Sequence, residues 1–252
     1  MAFNKQQAEK IGQIFDLSDV TAPTQVSTIT LPGGSGGAHN CLVDGDYLYI
    51  VGDHSNGGLE IYDISNPASP SKVGDFQDFY YHDIAIRNDT LYACGISGDG
   101  IDILDISNKA SPFRIGQFNY AGSGAHNVEI SSDGNHIYIG DEVGSSGQHT
   151  RIFDVSNLGS VFKTADIIVD PSASTHNAYL KGNNLYIAHY TEGLRVWDVS
   201  NPAAPFEIAH YDTYLPGGYG YKGCWNVYPY FASGKIILSD LQSGLFVLTL
   251  DP

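Results

Sequence analysis

Four histidines stand at the heads of near-identical modules, each followed by an amide or a carboxylate: His39-Asn40, His82-Asp83, His126-Asn127 and His176-Asn177. A fifth module opens with Trp225-Asn226. Neutral imidazoles ligate Zn, Cu, Fe or Ni, and an adjoining carboxylate can fix their tautomers. Brought together, His39, His82, His126 and His176 could hold one divalent transition metal. A second set of polar residues lies later in each module: Asp141 and Glu142, His189 and Tyr190, and Asp240. Gly52 and Gly95 take the register of Asp141, His189 and Asp240 in the first two modules, where a glycine is expected to open room.

Three readings of these residues stay open. In the first, the histidines bind a metal, and Tyr81, Tyr120, His189, Tyr190, Tyr221 and Trp225 contact a small-molecule or glycan-like ligand. In the second, Asp141, Glu142 and Asp240 are catalytic, in a metal-dependent hydrolase or lyase or in a glycosidase, which pairs a raised-pKa acid with an ionised partner. In the third, the protein is an interaction scaffold and each histidine repeats only because its module repeats. The Asn or Asp after each histidine is expected to hydrogen-bond between modules.

Some motif-like stretches carry little. Gly33-Gly34-Ser35-Gly36-Gly37 spells a nucleophile elbow but precedes a strand rather than a helix. Asp53-His54-Ser55-Asn56-Gly57 begins like a calcium loop, yet Ile64 stands where the closing Glu belongs. Asn88-Asp89-Thr90 is a glycosylation sequon by spelling only.

The elements that must position these residues are strands. Each module runs from its head (strand a) to an apolar segment such as YLYIVG or NLYIAH (strand b). A strand ending in Asp follows, as in LEIYDISNPASP (59–70), IDILDISNKASP (101–112), RIFDVSNLGS (151–160) and LRVWDVSNPAAP (194–205) (strand c). Strand d comes after the turn, as in SKVGDF, FRIGQF and FEIAHY. Asp and Asn bond their own backbone two residues on and Pro fixes φ, so Asp63, Asp105, Asp154 and Asp198 are turn residues. Alternation and β-branched or aromatic enrichment support strands throughout. A module of about 46 residues has the size of a four-stranded propeller blade.

The fold expected is therefore all-β: a five-bladed β-propeller of four-stranded antiparallel blades over residues 13–252. The N-terminal strand QVSTITL (25–31) is expected to complete the last blade and close the ring, and residues 1–12 to form an arm or short helix. In such a ring the starts of strands a and the ends of strands b share one face, giving one axial pocket.

Composition narrows the partners. Asp and Glu number 28 against 12 Lys and Arg, a net charge of −16. So acidic a surface repels phosphate backbones, which excludes nucleic acid. Cys41, Cys94 and Cys224 lack metal or redox spacing and read as small buried residues. No run of 18 apolar residues predicts a membrane span. The opening MAFNKQQAEKIGQIF has no apolar signal core, which leaves a cytoplasmic protein or an exported one read after signal removal. A monomer is the default expectation.

At the stretches THNAYLKGNNLYIAHYTEGLRVWDVSNPAAPFEIAHYDTY (175–214) and GCWNVYPYFASGKIILSDLQSGLFVL (223–248), the chain resembles the LVIVD-repeat proteins, and more narrowly the bacterial choice-of-anchor B family. GGAHNCLVDGDYLYIVG (36–52) and YYHDIAI (80–86) match more faintly. The resemblance implies a β-propeller, secreted to an extracellular or periplasmic location and tethered by a C-terminal anchor. No such anchor stands before Asp251-Pro252. The family implies no settled activity.

Overall fold

The computed structural model describes residues 2–6, 11–31, 37–52, 57–144, 149–216 and 218–250. The Gly33–Gly36 stretch and Asp53 to Asn56 lie outside the described residues. The fold is all-β; the only helix among the described residues is a single 3-10 turn at Leu158–Ser160. No helix is long and apolar enough to cross a membrane among the described residues.

The five modules are the blades of a β-propeller, each an antiparallel meander. Blade 1 holds β4 (Asn40–Asp44), β5 (Tyr47–Val51), β6 (Leu59–Asp63) and β7 (Ser71–Phe76); blade 2 holds β8 (Asp83–Arg87), β9 (Thr90–Gly95), β10 (Gly100–Asp105) and β11 (Phe113–Phe118). Blade 3 holds β12 (Ala125–Ile130), β13 (His136–Asp141), β14 (Thr150–Asp154) and β15 (Phe162–Ile167); blade 4 holds β16 (Ala178–Lys181), β17 (Asn184–Ala188), β18 (Leu194–Asp198) and β19 (Phe206–Tyr211). Blade 5 has three strands, β20 (Cys224–Tyr228), β21 (Lys235–Asp240) and β22 (Gly244–Thr249).

The N-terminus departs from expectation. Ala2–Gln6 is a strand (β1), not a helix or arm, and it pairs with β2 (Ile11–Asp16), which pairs in turn with β3 (Thr24–Thr30). The strand expected to complete the last blade is thus hydrogen-bonded into a three-stranded sheet of its own. The reason is local. The leading QIFDLSDVTAP copy folds like every other c–d hairpin: Asp16 Oδ1 accepts the Ser18 N–H at 2.8 Å, and a bulge falls between Ile14 and Phe15. The same bulge recurs at Ile61/Tyr62, Ile152/Phe153 and Val196/Trp197. A short hairpin closes at far lower entropic cost than a pairing across the whole chain.

Two compact units result, one of residues 1–95 with 102–115, the other of 96–101 with 116–252. In each, apolar cores lie between consecutive sheets. In the first, Ile14, Ile29 and Leu31 meet Leu48, Ile50 and Tyr62, while Tyr49, Leu59 and Ile61 meet Tyr81, Leu91 and Leu104. In the second, Tyr138 and Ile152 meet Leu185 and Ile187, and Leu194 and Val196 meet Val227 and Leu238. Strands β5 and β6 are buried on both faces because a sheet lies on either side, whereas β7 is largely exposed or half-buried. Each fully buried Leu or Ile stabilises by about 1.5–3 kcal/mol.

The turn aspartates behave as the sequence dictates. Asp63, Asp105, Asp154 and Asp198 each accept the N–H two residues on, at 2.8–2.9 Å. Hydrogen bonding from the following serine holds their carboxyls below the ordinary range.

Candidate functional site

The module heads are fixed by two devices. The backbone N–H groups of His39, His82 and His176 donate to carbonyls near the ends of strands b, on Val51, Cys94 and Ala188. His126 instead sits in a β-bulge between Ala125 and Asn127, and Trp225 in the matching bulge between Cys224 and Asn226. A bulge re-aims the side chain of its extra residue. The residue after each head joins neighbouring blades. Asn40 Nδ2 donates to Asp83 Oδ1 at 2.5 Å, Asn127 Oδ1 accepts the Ala178 N–H at 2.9 Å, and Asn177 Nδ2 donates to Asn226 Oδ1 at 3.2 Å.

In the first unit His39 and His82 come together, ring centroids 3.8 Å apart, with Tyr80 edge-on to both. Gly52 makes this approach possible. A Cβ there would lie 2.2 Å from the His39 Cβ, and φ is +78°. The room left by the missing Cβ, expected to stand open, is filled by His39.

In the second unit His126 and His176 lie with ring centroids 4.2 Å apart. Glu142 reaches both: Oε2 is 3.5 Å from His126 Nε2, and Oε1 is 3.8 Å from His176 Nε2. The Tyr190 hydroxyl donates to Glu142 Oε1 at 2.5 Å. The Glu142 backbone is pinned on both sides, its N–H donating to the Gly124 carbonyl and its own carbonyl accepting the Ser174 hydroxyl. Burial raises the Glu142 carboxyl above its ordinary value, against the opposing hydrogen bond from Tyr190. Burial and the Glu142 carboxylate together raise the Tyr190 phenol.

Tyr190 occupies the left-handed region at φ +36°, unusual for a bulky residue. Its carbonyl accepts N–H groups from Gly193 at 3.0 Å and Cys224 at 2.9 Å, which hold that conformation. Two further aromatics adjoin the cluster. Trp225 lies 5.2 Å from the His176 ring, tilted 32°, and Tyr221 lies 5.2 Å from Tyr190, edge-on.

The remaining predicted residues lie outside this cluster, bound to the frame. Tyr81 is fully buried and donates to Asp102 Oδ2 at 2.5 Å, where Arg114 also binds. Asp141 accepts the Tyr120 hydroxyl at 2.7 Å and the Gly124 N–H at 3.0 Å, and pairs with Arg151. Asp240 caps its own b–c turn, accepting the Gln242 and Ser243 N–H groups at 2.8 and 2.6 Å. His189 is buried, and its imidazole is pushed down to about 4, chiefly by desolvation. The sequence pattern sets Asp141 and Glu142 on the same face as the imidazoles and offers both as catalytic acids without distinguishing them. The structure separates them: Asp141 ends β13 and pairs with Arg151, whereas Glu142 lies in the bend just beyond the strand and faces the histidines. The strained Tyr190 backbone left no signal in the sequence.

The fold recurs in solved structures. A periplasmic gluconolactonase from Pseudomonas aeruginosa is 14% identical with a TM-score of 0.76, over 98% of this chain and 75% of that one. A protein from Lactobacillus plantarum is 16% identical (TM-score 0.74; 97% and 79% covered), and a functionally unknown protein from Desulfotomaculum acetoxidans is 14% identical (TM-score 0.73; 96% and 76%). At these identities the likeness is one of fold alone. No curated protein sequence matches the chain. The LVIVD repeat model matches residues 35–78, 82–120 and 168–213, together just over half of the sequence. The chain belongs to the LVIVD-repeat family.

Proposed function

We propose that the protein is a ligand-binding propeller whose site is built by His126, His176, Glu142 and Tyr190 around one divalent transition metal. One observation carries this reading: a carboxylate lies between two imidazoles at 3.5 and 3.8 Å. Both gaps are too long for direct hydrogen bonds. Metal–donor bonds of about 2.0–2.1 Å at tetrahedral angles set neighbouring donors about 3.4 Å apart. The Glu142 Oε2 and His126 Nε2 atoms fit that spacing, while His176 Nε2 stands against the other carboxylate oxygen, Oε1. Tyr190, bonded to the other carboxylate oxygen, would orient the ligand from outside the coordination sphere, as such partners do in metal sites. Two imidazoles and one carboxylate leave a position for a small or glycan-like ligand.

Metal analysis of protein purified without an affinity tag, alongside His126→Ala and Glu142→Gln, tests this. About one equivalent of Zn, Cu, Fe or Ni in the parent chain, lost in both variants, is the expected result. Metal-free parent protein that also takes up none of these ions in calorimetric titration would sink the reading.

The narrower choice-of-anchor B assignment and an exported location belong to the same proposal, supported by the resemblance of residues 175–214 and 223–248. Fractionation of the native source cells should place the protein outside the cytoplasm; recovery in the cytosol would refute it.

A further inference from the structure

We infer that Trp225 and Tyr221 form a stacking wall for a neutral saccharide, whose hydroxyl groups turn toward Glu142. This rests on the site proposed above and names the class of its ligand. Trp225 occupies the module-head register that histidine fills elsewhere, but its setting differs. His126 and His176 are 4% and 5% exposed, whereas Trp225 is 44% exposed. Its indole lies tilted against His176, ring centroids 5.2 Å apart, and Tyr221, more than half exposed, stands edge-on to Tyr190. Tyr190 in turn holds Glu142. An open aromatic wall therefore connects directly to a carboxylate flanked by imidazoles.

That combination selects a ligand with one apolar face and a polar rim. A pyranose has both: its C–H faces pack on aromatic planes and its hydroxyls reach the acceptors beside them. Ligand sites generally combine aromatic walls with a few convergent polar groups. A purely aromatic ligand would use the wall but offer no donor to the second Glu142 oxygen, Oε2, which Tyr190 does not reach. A net charge of −16 works against uronate-bearing or sulfated glycans. The same loop also exposes Leu215 and Tyr219; a ligand long enough to reach them is an oligosaccharide rather than a monosaccharide.

The chain has two tryptophans, so Trp197→Phe leaves Trp225 as the sole indole reporter. The probes are cellohexaose, xylohexaose, mannohexaose and maltohexaose, with trigalacturonate as the acidic comparison. At least one neutral hexaose is expected to shift the Trp225 emission. Calorimetry on the unaltered chain is expected to show the same binding, weakened at least ten-fold by Trp225→Ala or Tyr221→Ala. The inference is overturned if no neutral hexaose binds, if trigalacturonate binds in preference, or if binding survives Trp225→Ala unchanged. Zinc titration of the same preparations separates the two proposals. Saccharide binding to chelator-treated, metal-incompetent protein would uphold the wall and remove the metal; zinc uptake without any saccharide binding would do the reverse.

Discussion

The Tyr190 hydroxyl donates to Glu142 Oε1 at 2.5 Å, across 48 residues of sequence, from a backbone held at φ +36°. Strain of this kind costs on the order of 1–3 kcal/mol and persists where the surroundings over-determine it. Here the Gly193 and Cys224 N–H groups do so. If the bond serves to aim Glu142 at a metal, Tyr190→Phe should weaken zinc binding about 10–100-fold while the apo fold stays intact. Competition titration against a chromogenic chelator reads the affinity, and circular dichroism checks the fold. Unchanged zinc affinity would detach Tyr190 from the site.

His189 should make stability depend on pH. Burial lowers its folded-state value to about 4 from 6.5. Between those values the unfolded chain binds the proton and the folded chain does not, so stability rises with pH across the window. The contribution is complete above about 6.5 and is lost as pH falls toward 4, a span of about 3 kcal/mol by linkage. Urea midpoints from pH 4 to 7 in the parent chain and in His189→Gln measure it. The variant should show a flatter profile; identical slopes would contradict the assignment.

Gly52→Ala should destabilise the first unit. The new Cβ would meet His39 Cβ at 2.2 Å from a backbone at φ +78°. The conformational penalty alone is about 1–2 kcal/mol, and the clash adds to it. Chemical denaturation should show a loss exceeding that figure. A neutral outcome would mean that His39 moves aside freely.

Tyr81→Phe should cost about 1–2 kcal/mol, because it removes the phenol from a buried Asp102 that Arg114 still pairs. Zinc and saccharide binding should be unaltered in this variant. A ligand-binding defect in a stably folded Tyr81→Phe protein would return Tyr81 to the site.

Much of this was legible in the chain because blades repeat. The DISNPASP and DVSNPAAP turns announce the c–d hairpins, and the structure builds each as a local Asp-capped turn. The inter-blade role of the residue after each head was legible for the same reason. What escaped was decided by single, non-repeating contacts. The fate of QVSTITL turned on a competition between a nearby hairpin partner and a distant one, which composition does not rank. Asp141 and Asp240 look equivalent by register, yet Arg151 claims one and the turn amides at Gln242 and Ser243 claim the other.

The recurring bulge in the c–d hairpins has a kinetic consequence. Each hairpin encloses only a short stretch of chain, so it can form on the microsecond scale expected of isolated hairpins, before any sheet-on-sheet docking. Folding of this molecule then starts from several local nuclei of the same design, including the one at the extreme N-terminus, and its slow phase belongs to the burial of apolar faces such as Leu59 and Ile61 between consecutive sheets.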